Sequence, residues 1–323
     1  MRTILLTGLL LANLALSAQA ARVPVPLVEP AWLAANVNDV FILDVRANAE
    51  SFTTPPVYVK HRTTGEIFLA QLGGHIPGAV HVPFSSMRTD RVIDGRTVEK
   101  MLPSKKDFEQ LLQSAGLKES DAVVLVTEGE DAGDLTIAAR VYWQLKYYGH
   151  DNVAILNGGM SQWLAGQHGY AVEPTAKPKG NWTAKAERPE LAATSKDVDA
   201  AMRDKSAQLI DTRDMAHYLG ASKRSYVSQA GHIPGAKLFP YDLLIGQSSP
   251  AGFLPPRNVK ELAKALEIDI EKPSIVYCNS GHLAAGNWFV LSELMGNKNV
   301  RLYDGSMHQW TLEKRPVTTM KME

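Results

Sequence analysis

Short apolar runs alternate with amphipathic segments along most of the chain, most clearly in its second half. The runs at 208–211, 275–277 and 300–303 have the length and composition of buried strands, and apolar positions at helical spacing predict helices at 259–266 and 284–295. Strands that alternate with helices are typical of parallel sheets, because each parallel connection needs a crossover. The pattern therefore predicts an α/β fold, a mostly parallel sheet with helices on both faces.

The same landmarks occur twice, in the same order. Each copy has an Asp-x-Arg segment, then an unchanged Gly-His-Ile-Pro-Gly-Ala motif, a Leu-Pro pair, a second strand and an Asn-Gly or Asp-Gly pair. The matching positions are Asp44 and Arg46 with Asp211 and Arg213, residues 74–79 with 231–236, Leu102-Pro103 with Leu254-Pro255, the strand at 122–126 with that at 274–277, and Asn157-Gly158 with Asp304-Gly305. This repetition predicts two copies of one domain of roughly 130–150 residues.

The spacing of the landmarks predicts where the copies begin and end. We expect an N-terminal domain at 21–170, a linker rich in Pro and Lys at 171–190, and a C-terminal domain at 191–323. The first copy is ten residues longer between its Asp-x-Arg and Gly-His segments, and the extra residues around 51–70 predict an insertion loop.

The first twenty residues differ from the rest of the chain. Arg2 precedes an apolar run at 4–16, and small residues follow up to Ala20. This is the pattern of a secretory signal peptide cleaved after Ala20, and the run is too short for a good transmembrane helix. The sequence therefore predicts a periplasmic or secreted protein that does not bind a membrane after cleavage. The 34 basic and 34 acidic residues balance, so nothing suggests a nucleic-acid surface.

The chain has a single cysteine, Cys278, which stands where a predicted strand ends and a predicted helix begins. Free backbone N–H groups and the helix dipole favour an anion at such a place, and they lower the pKa of a thiol. The alternative is a small buried apolar residue, the usual role of a lone cysteine. An unpaired cysteine in an exported protein favours the reactive thiol.

Taken together, these motifs resemble the rhodanese family of sulfurtransferases in its tandem two-domain form. The resemblance covers almost the whole mature chain and implies that the second domain carries the catalytic cysteine. The loop after the corresponding first-copy strand has no cysteine, and it contains four carboxylates that would repel an anionic donor: Glu128, Glu130, Asp131 and Asp134. We therefore expect the first domain to be a structural partner, with the site in the cleft between the domains.

The resemblance also implies the chemistry. The Cys278 thiolate attacks the outer sulfur of a small-molecule donor and becomes a persulfide, and a thiol or cyanide acceptor then removes that sulfur. No metal or cofactor is expected, because one cysteine and scattered histidines make no ligand cluster. The loop after Cys278 should bind the donor through its backbone N–H groups, with Gly281 allowing the curl and Ser280 adding a hydroxyl. The loop residues that we expect to bind substrate are Asn279, Ser280, Gly281, His282 and Leu283.

The loop departs from the family pattern where charge is concerned. A basic residue often follows the cysteine in thiosulfate-using members, but here it is Asn279; a substrate-binding Arg in tandem members is replaced by His217. We expect His282, His217, Arg224 or the neighbouring Lys223 to supply the positive charge. Histidine does so only when protonated, so thiosulfate affinity should improve as the pH falls towards 6.

Several motif residues are predicted to be structural. Asp211 and Arg213 should form an internal ion pair, and His232 should belong to a turn. The reason is that the first copy, which has no catalytic cysteine, keeps the same residues.

Two functions remain open at this point, and a third is disfavoured. The first is sulfur transfer from thiosulfate, with 3-mercaptopyruvate as the second donor. The second is a non-catalytic persulfide carrier or interaction module. A phosphatase of this fold is disfavoured, because Ala284 stands where it would need an arginine to clamp phosphate. The sequence does not predict the oligomeric state.

Overall fold

The computed structural model describes residues 22–320, so the predicted signal peptide lies outside the described residues. Each copy of the repeat contains a five-stranded sheet in which all neighbouring strands are parallel. Helices cover both faces of each sheet. The fold is therefore the predicted α/β fold, built twice.

The strands of the first copy are β1 (Leu27–Val28), β2 (Phe41–Asp44), β3 (Val57–Lys60), β4 (Ile67–Gln71), β5 (Val80–His81), β6 (Thr89–Ile93), β7 (Arg96–Met101), β8 (Val123–Val126) and β9 (Val153–Leu156). Those of the second copy are β10 (Ala192–Ala193), β11 (Gln208–Asp211), β12 (Lys237–Leu238), β13 (Ser274–Tyr277) and β14 (Val300–Tyr303). The parallel sheets have the orders β1-β9-β8-β2-β5 and β10-β14-β13-β11-β12. The two orders correspond strand for strand, as expected for a duplicated domain.

The helices of the first copy are α1 (Pro30–Asn36), α2 (Ala49–Thr53), α3 (Lys105–Ser114), α4 (Ala132–Tyr147) and α5 (Gly159–Ala165). Those of the second copy are α6 (Ser195–Asp204), α7 (Met215–Leu219), α8 (Pro256–Ala265), α9 (Leu283–Phe289) and α10 (Ser306–Leu312). Short 3-10 turns occupy Phe84–Met87, Pro189–Leu191 and Tyr241–Leu244, and α9 continues as one π-helical turn at Val290–Leu294. No helix in the described part of the chain is long and apolar enough to span a membrane.

The central strands are apolar along their whole length because both of their faces are covered. Every residue of β2, β8, β9 and β13 is buried. The side chains on one face of each sheet join a single core that extends through both copies, whereas those on the other face form a separate core in each copy. The two domains are thus joined by a shared apolar core.

The insertion and the linker differ from simple loops. The insertion forms the antiparallel hairpin β3–β4, which is exposed along most of its length. The linker residue Trp182 is buried, and its ring packs edge-on against Phe108. Two hydrogen bonds hold it there: its indole N–H donates to Nδ1 of His150 at 3.1 Å, and its backbone N–H donates to the carbonyl of Leu117 at 3.0 Å. The middle of the linker is therefore part of the packed first domain.

Candidate active site

Cys278 lies at the carboxyl end of β13, beside the turn that follows β14. Its backbone N–H donates to Oγ of Ser306 at 3.1 Å, and the N–H of Gly281 donates to the same oxygen at 3.0 Å. The Ser306 hydroxyl donates its own proton to the carbonyl of Tyr303 at 2.8 Å. One serine thus holds the cysteine loop at two residues, Gly281 and the buried Cys278.

The loop has the free backbone donors that an anion site requires. Within residues 22–320, the N–H groups of Asn279, Ser280, His282 and Leu283 donate to no protein acceptor. Gly281 has a φ of 70°, and a Cβ at this position would lie 2.7 Å from Oδ1 of Asp304. Only glycine fits this curl without a shift of its neighbours. Four unpaired amides next to a thiol can bind a negatively charged sulfur compound.

The side chains of Asn279 and Ser280 are held by neighbouring groups. Asn279 Oδ1 faces Nη1 of Arg213 at 3.5 Å, while Arg213 forms a bidentate pair with Asp211, at 2.9 Å through Nε and 2.6 Å through Nη2. The predicted ion pair is confirmed, and it buttresses the loop from behind. Ser280 Oγ lies 3.4 Å from the hydroxyl of Tyr226; burial raises the pKa of Tyr226, so its hydroxyl stays protonated at neutral pH.

His282 lies in the loop but does not supply the positive charge that the sequence suggested. Its Nε2 contacts Oγ1 of Thr136 in the first domain at 3.0 Å, and its ring packs on Phe84 at 4.8 Å. Burial, together with the nearby charges of Arg88 and Arg140, lowers the pKa of His282 to about 3. The imidazole is therefore neutral between pH 6 and 8, and the predicted gain in thiosulfate affinity cannot come from this residue.

The other predicted cations lie on the segment that follows β11. His217 is in α7, where its Nδ1 contacts Oδ2 of Asp214 at 2.5 Å and its backbone N–H bonds to the same carboxylate at 2.9 Å. Lys223 donates to the carbonyl of Val227 at 2.8 Å and is thereby tied to its own loop. Arg224 is exposed, and its positive charge acts to lower the pKa of the nearby Tyr226 hydroxyl, against the larger effect of burial. Of these three, Arg224 is the one connected to the cysteine loop, through Tyr226 and Ser280.

The structure adds a buried arginine of the first domain to the site. Arg140, on α4, donates through Nη1 to the carbonyl of Gly281 at 3.3 Å, and its Nη2 lies 2.7 Å from Oδ1 of Asp304. The other carboxylate oxygen of Asp304 accepts the N–H of Leu102 at 2.8 Å. The first domain therefore holds the catalytic loop of the second, through residues that no sequence motif singled out.

A comparison of the two copies could have revealed Ser306. The first copy has Gly159 at the position of Ser306 and Thr127 at the position of Cys278. The backbone contacts are otherwise the same: Met307 donates to the carbonyl of Cys278 at 3.1 Å, and Met160 donates to that of Thr127 at 2.8 Å. An alignment of the two copies therefore shows that Ser306 and Cys278 both occur only in the second copy, and this pattern would have marked Ser306 as a candidate site residue.

The loop of the first copy carries less negative charge than its four carboxylates imply. Asp134 accepts the N–H groups of Glu128 and Gly129, yet burial raises its pKa to about 7. Burial and the charge of Glu128 also raise the pKa of Glu130. Within the described residues, no cluster of His, Cys, Asp or Glu side chains is arranged to hold a metal ion.

Comparisons with known proteins agree with this architecture. A family model described as a rhodanese-like domain matches residues 29–166 and 194–313. A thiosulfate sulfurtransferase from Bos taurus is 30% identical over 247 residues, which are 76% of this chain and 80% of that protein. A thiosulfate/3-mercaptopyruvate sulfurtransferase from Arabidopsis thaliana is 29% identical over 309 residues, 88% of this chain and 84% of that one.

A solved structure matches over both domains. The structure of SseA from Escherichia coli, described as a 3-mercaptopyruvate sulfotransferase, aligns with a TM-score of 0.71 and 25% identity, and the match covers 87% of this chain and 98% of that one. The chain belongs to the rhodanese family of sulfurtransferases, with the rhodanese-like domain present twice.

Proposed function

We propose that the protein is an exported sulfurtransferase that moves sulfane sulfur from thiosulfate, or from 3-mercaptopyruvate, to a thiol or cyanide through a persulfide on Cys278. The observation that carries the proposal is the loop itself. A cysteine occupies the strand end in the one copy whose loop is pinned by Ser306, and four neighbouring amides have no acceptor within the described residues.

The chemistry balances with thiosulfate as the donor. The Cys278 thiolate attacks the outer sulfur, a new S–S bond forms, and the S–S bond of thiosulfate breaks with its electron pair leaving on sulfite. The persulfide keeps one negative charge, which the free amides of the loop are suited to stabilise. Cyanide then attacks the terminal sulfur, and thiocyanate leaves as the Cys278 thiolate is regenerated.

Family relatives named for both donors support the choice of substrates. Export rests on the signal-peptide pattern at residues 1–20, outside the described residues. N-terminal sequencing of the protein recovered outside the cytoplasm tests cleavage after Ala20.

The decisive experiment measures thiocyanate formation from thiosulfate and cyanide. Turnover and a mass gain of one sulfur atom on Cys278 are expected for the natural protein, and Cys278→Ser should lose both while keeping its circular dichroism spectrum. Full turnover by Cys278→Ser would rule out the mechanism. A persulfide that forms on Cys278 without turnover to cyanide or thiols would indicate the carrier function instead.

A further inference from the structure

Arg88 is a cation that the first domain presents to the catalytic loop of the second. It follows the 3-10 turn Phe84–Met87 and precedes β6. Its guanidinium lies over the ring of Phe84, at 4.4 Å from Cζ to the ring centroid, and the same ring contacts His282 at 4.8 Å. A chain of two contacts thus leads from Arg88 to the cysteine loop.

The guanidinium of Arg88 has no counter-ion in the part of the chain that the structure describes. Within residues 22–320 no carboxylate pairs with it, and its buried Nε donates to no acceptor. The nearby carboxylate of Asp304 is already engaged by Arg140 and by the N–H of Leu102. A half-buried arginine without a counter-ion is costly, because its contact with the ring of Phe84 replaces only part of the hydration that the charge loses. An anion that binds beside it would remove that cost.

The electrostatic surroundings of Arg88 agree with this position beside the catalytic loop. Burial and the charge of Arg140 lower the pKa of Arg88, whereas the charges of Cys278, Tyr226 and Asp304 raise it. The hydroxyl of Tyr226 lies 3.4 Å from Oγ of Ser280, so Tyr226 connects the surroundings of Arg88 to the cysteine loop.

The second copy has no such cation. There the turn Tyr241–Leu244 corresponds to Phe84–Met87, and the buried apolar residue Ile245 takes the position of Arg88. The scaffold of the turn does not require an arginine at this position. The charge is present only in the domain that faces the cysteine.

We propose that Arg88 binds the anionic oxygens of the sulfur donor, the sulfonate of thiosulfate or the carboxylate of 3-mercaptopyruvate. The non-catalytic domain then determines which donors the site accepts. The planar fork of the guanidinium can bind two oxygens of either group. This inference rests on the proposed function, and it assigns the charge that Asn279 and His282 do not provide.

Binding to a form that cannot turn over separates this inference from the proposed function. In the Cys278→Ser background, titration calorimetry measures the Kd of thiosulfate and of 3-mercaptopyruvate. Adding Arg88→Gln should weaken binding about 10- to 100-fold, the equivalent of one lost charge-assisted hydrogen-bonding pair. Arg88→Lys should lose less donor affinity than Arg88→Gln, because lysine keeps the positive charge but lacks the planar guanidinium that can bind two oxygens.

Arg96→Gln is the matched control, because Arg96 is an exposed arginine of the β6–β7 hairpin, which directly follows Arg88. Its Kd should equal that of Cys278→Ser. If Arg88→Gln binds both donors as tightly as the control does, or if Cys278→Ser binds neither donor, the assignment of Arg88 is wrong. A weaker Kd for only one donor would identify the anion that Arg88 selects. Turnover of the natural protein is scored separately and decides only the sulfurtransferase proposal.

Discussion

At the scale of single residues, His282 belongs to the cysteine loop of the second domain but forms a hydrogen bond to the first domain. The Thr136 hydroxyl gives its one proton to the carbonyl of Gly133 at 2.6 Å, so its oxygen accepts from His282 at 3.0 Å. Nε2 therefore carries the proton of a neutral ring. The imidazole acts as a fixed donor between the domains, and the arginines around it oppose its protonation.

His282 should make the stability of the protein depend on pH. Its pKa is about 3 in the folded protein, against about 6.5 in an unfolded chain, so the unfolded state binds the proton more tightly. The contribution of the neutral ring is complete above about pH 6.5 and is lost as the pH falls towards 3. Replacing His282 by Gln, which can still donate to Thr136, should reduce the slope of unfolding free energy against pH by up to about 1.4 kcal/mol per unit near pH 5.

Urea unfolding at several pH values measures both slopes. Equal slopes for the natural protein and His282→Gln would show that His282 titrates normally. The KM for thiosulfate should then be followed between pH 6 and 8, where the two proteins should share one pH profile.

At the scale of elements, the crossing of α4 and α9 joins the domains. The helices approach closely at Gly286, where a Cβ would lie 2.6 Å from Cγ2 of Thr136. Thr136 cannot easily rotate away, because its hydroxyl bonds both Gly133 and His282. The small residue in α9 is therefore a requirement of helix packing, and a helix-propensity argument from the sequence would favour alanine there.

Gly286→Ala should destabilise the protein despite the better helix propensity of alanine. Overpacking costs about 1–3 kcal/mol, and the propensity gain returns at most about 1 kcal/mol. Chemical denaturation should therefore show a net loss of up to about 2 kcal/mol in unfolding free energy.

Thr136→Ser provides the matched background, because it removes Cγ2 and keeps the hydroxyl. In that background Gly286→Ala should be neutral or stabilising. A loss of the same size with Ser at position 136 would place the clash elsewhere.

At the scale of the whole molecule, two similar contacts join the domains. Asp304, after β14, accepts the N–H of Leu102, the leucine of the Leu-Pro pair of the first copy. Asn157, after β9, accepts the N–H of Phe253 at 3.1 Å, next to the Leu-Pro pair of the second. The repeated Asn-Gly or Asp-Gly and Leu-Pro motifs thus meet across the interface. The contact is charged only on the catalytic side, where Asp304 pairs with Arg140.

Asp304→Asn should test the charge alone, since asparagine makes the backbone contact in the first copy. The fully buried Arg140 would keep its charge without a partner, and Arg88 is nearby. A loss of about 3–5 kcal/mol in unfolding free energy is expected. Adding Arg140→Met should recover much of the lost unfolding free energy, because the unpaired charge is then removed. If denaturant unfolding instead shows that the losses of the two substitutions simply add, the pairing of Asp304 with Arg140 is contradicted.

Much of the fold was predictable because it depends on local patterns. Apolar runs gave the central strands, and the duplicated motifs gave two similar domains. The insertion was harder, since the hairpin β3–β4 is exposed and lacks the alternation of a half-buried strand. The linker was predicted from its Pro and Lys residues, but Trp182 in it is buried, because it packs between Phe108 and His150 of the first domain, which no local pattern reveals.

The sequence by itself determined the family, the duplicated scaffold and the one cysteine, because motifs and periodicity are local properties. It also marked Asp211 and Arg213 as structural, through their counterparts in the first copy. Only the tertiary structure decided the electrostatics of the site. Burial and two arginines keep His282 neutral, and the docking of the domains brings Arg88 and Arg140 to a loop more than a hundred residues away. Charge and dielectric depend on what surrounds a group in space, and the order of residues along the chain does not contain that information.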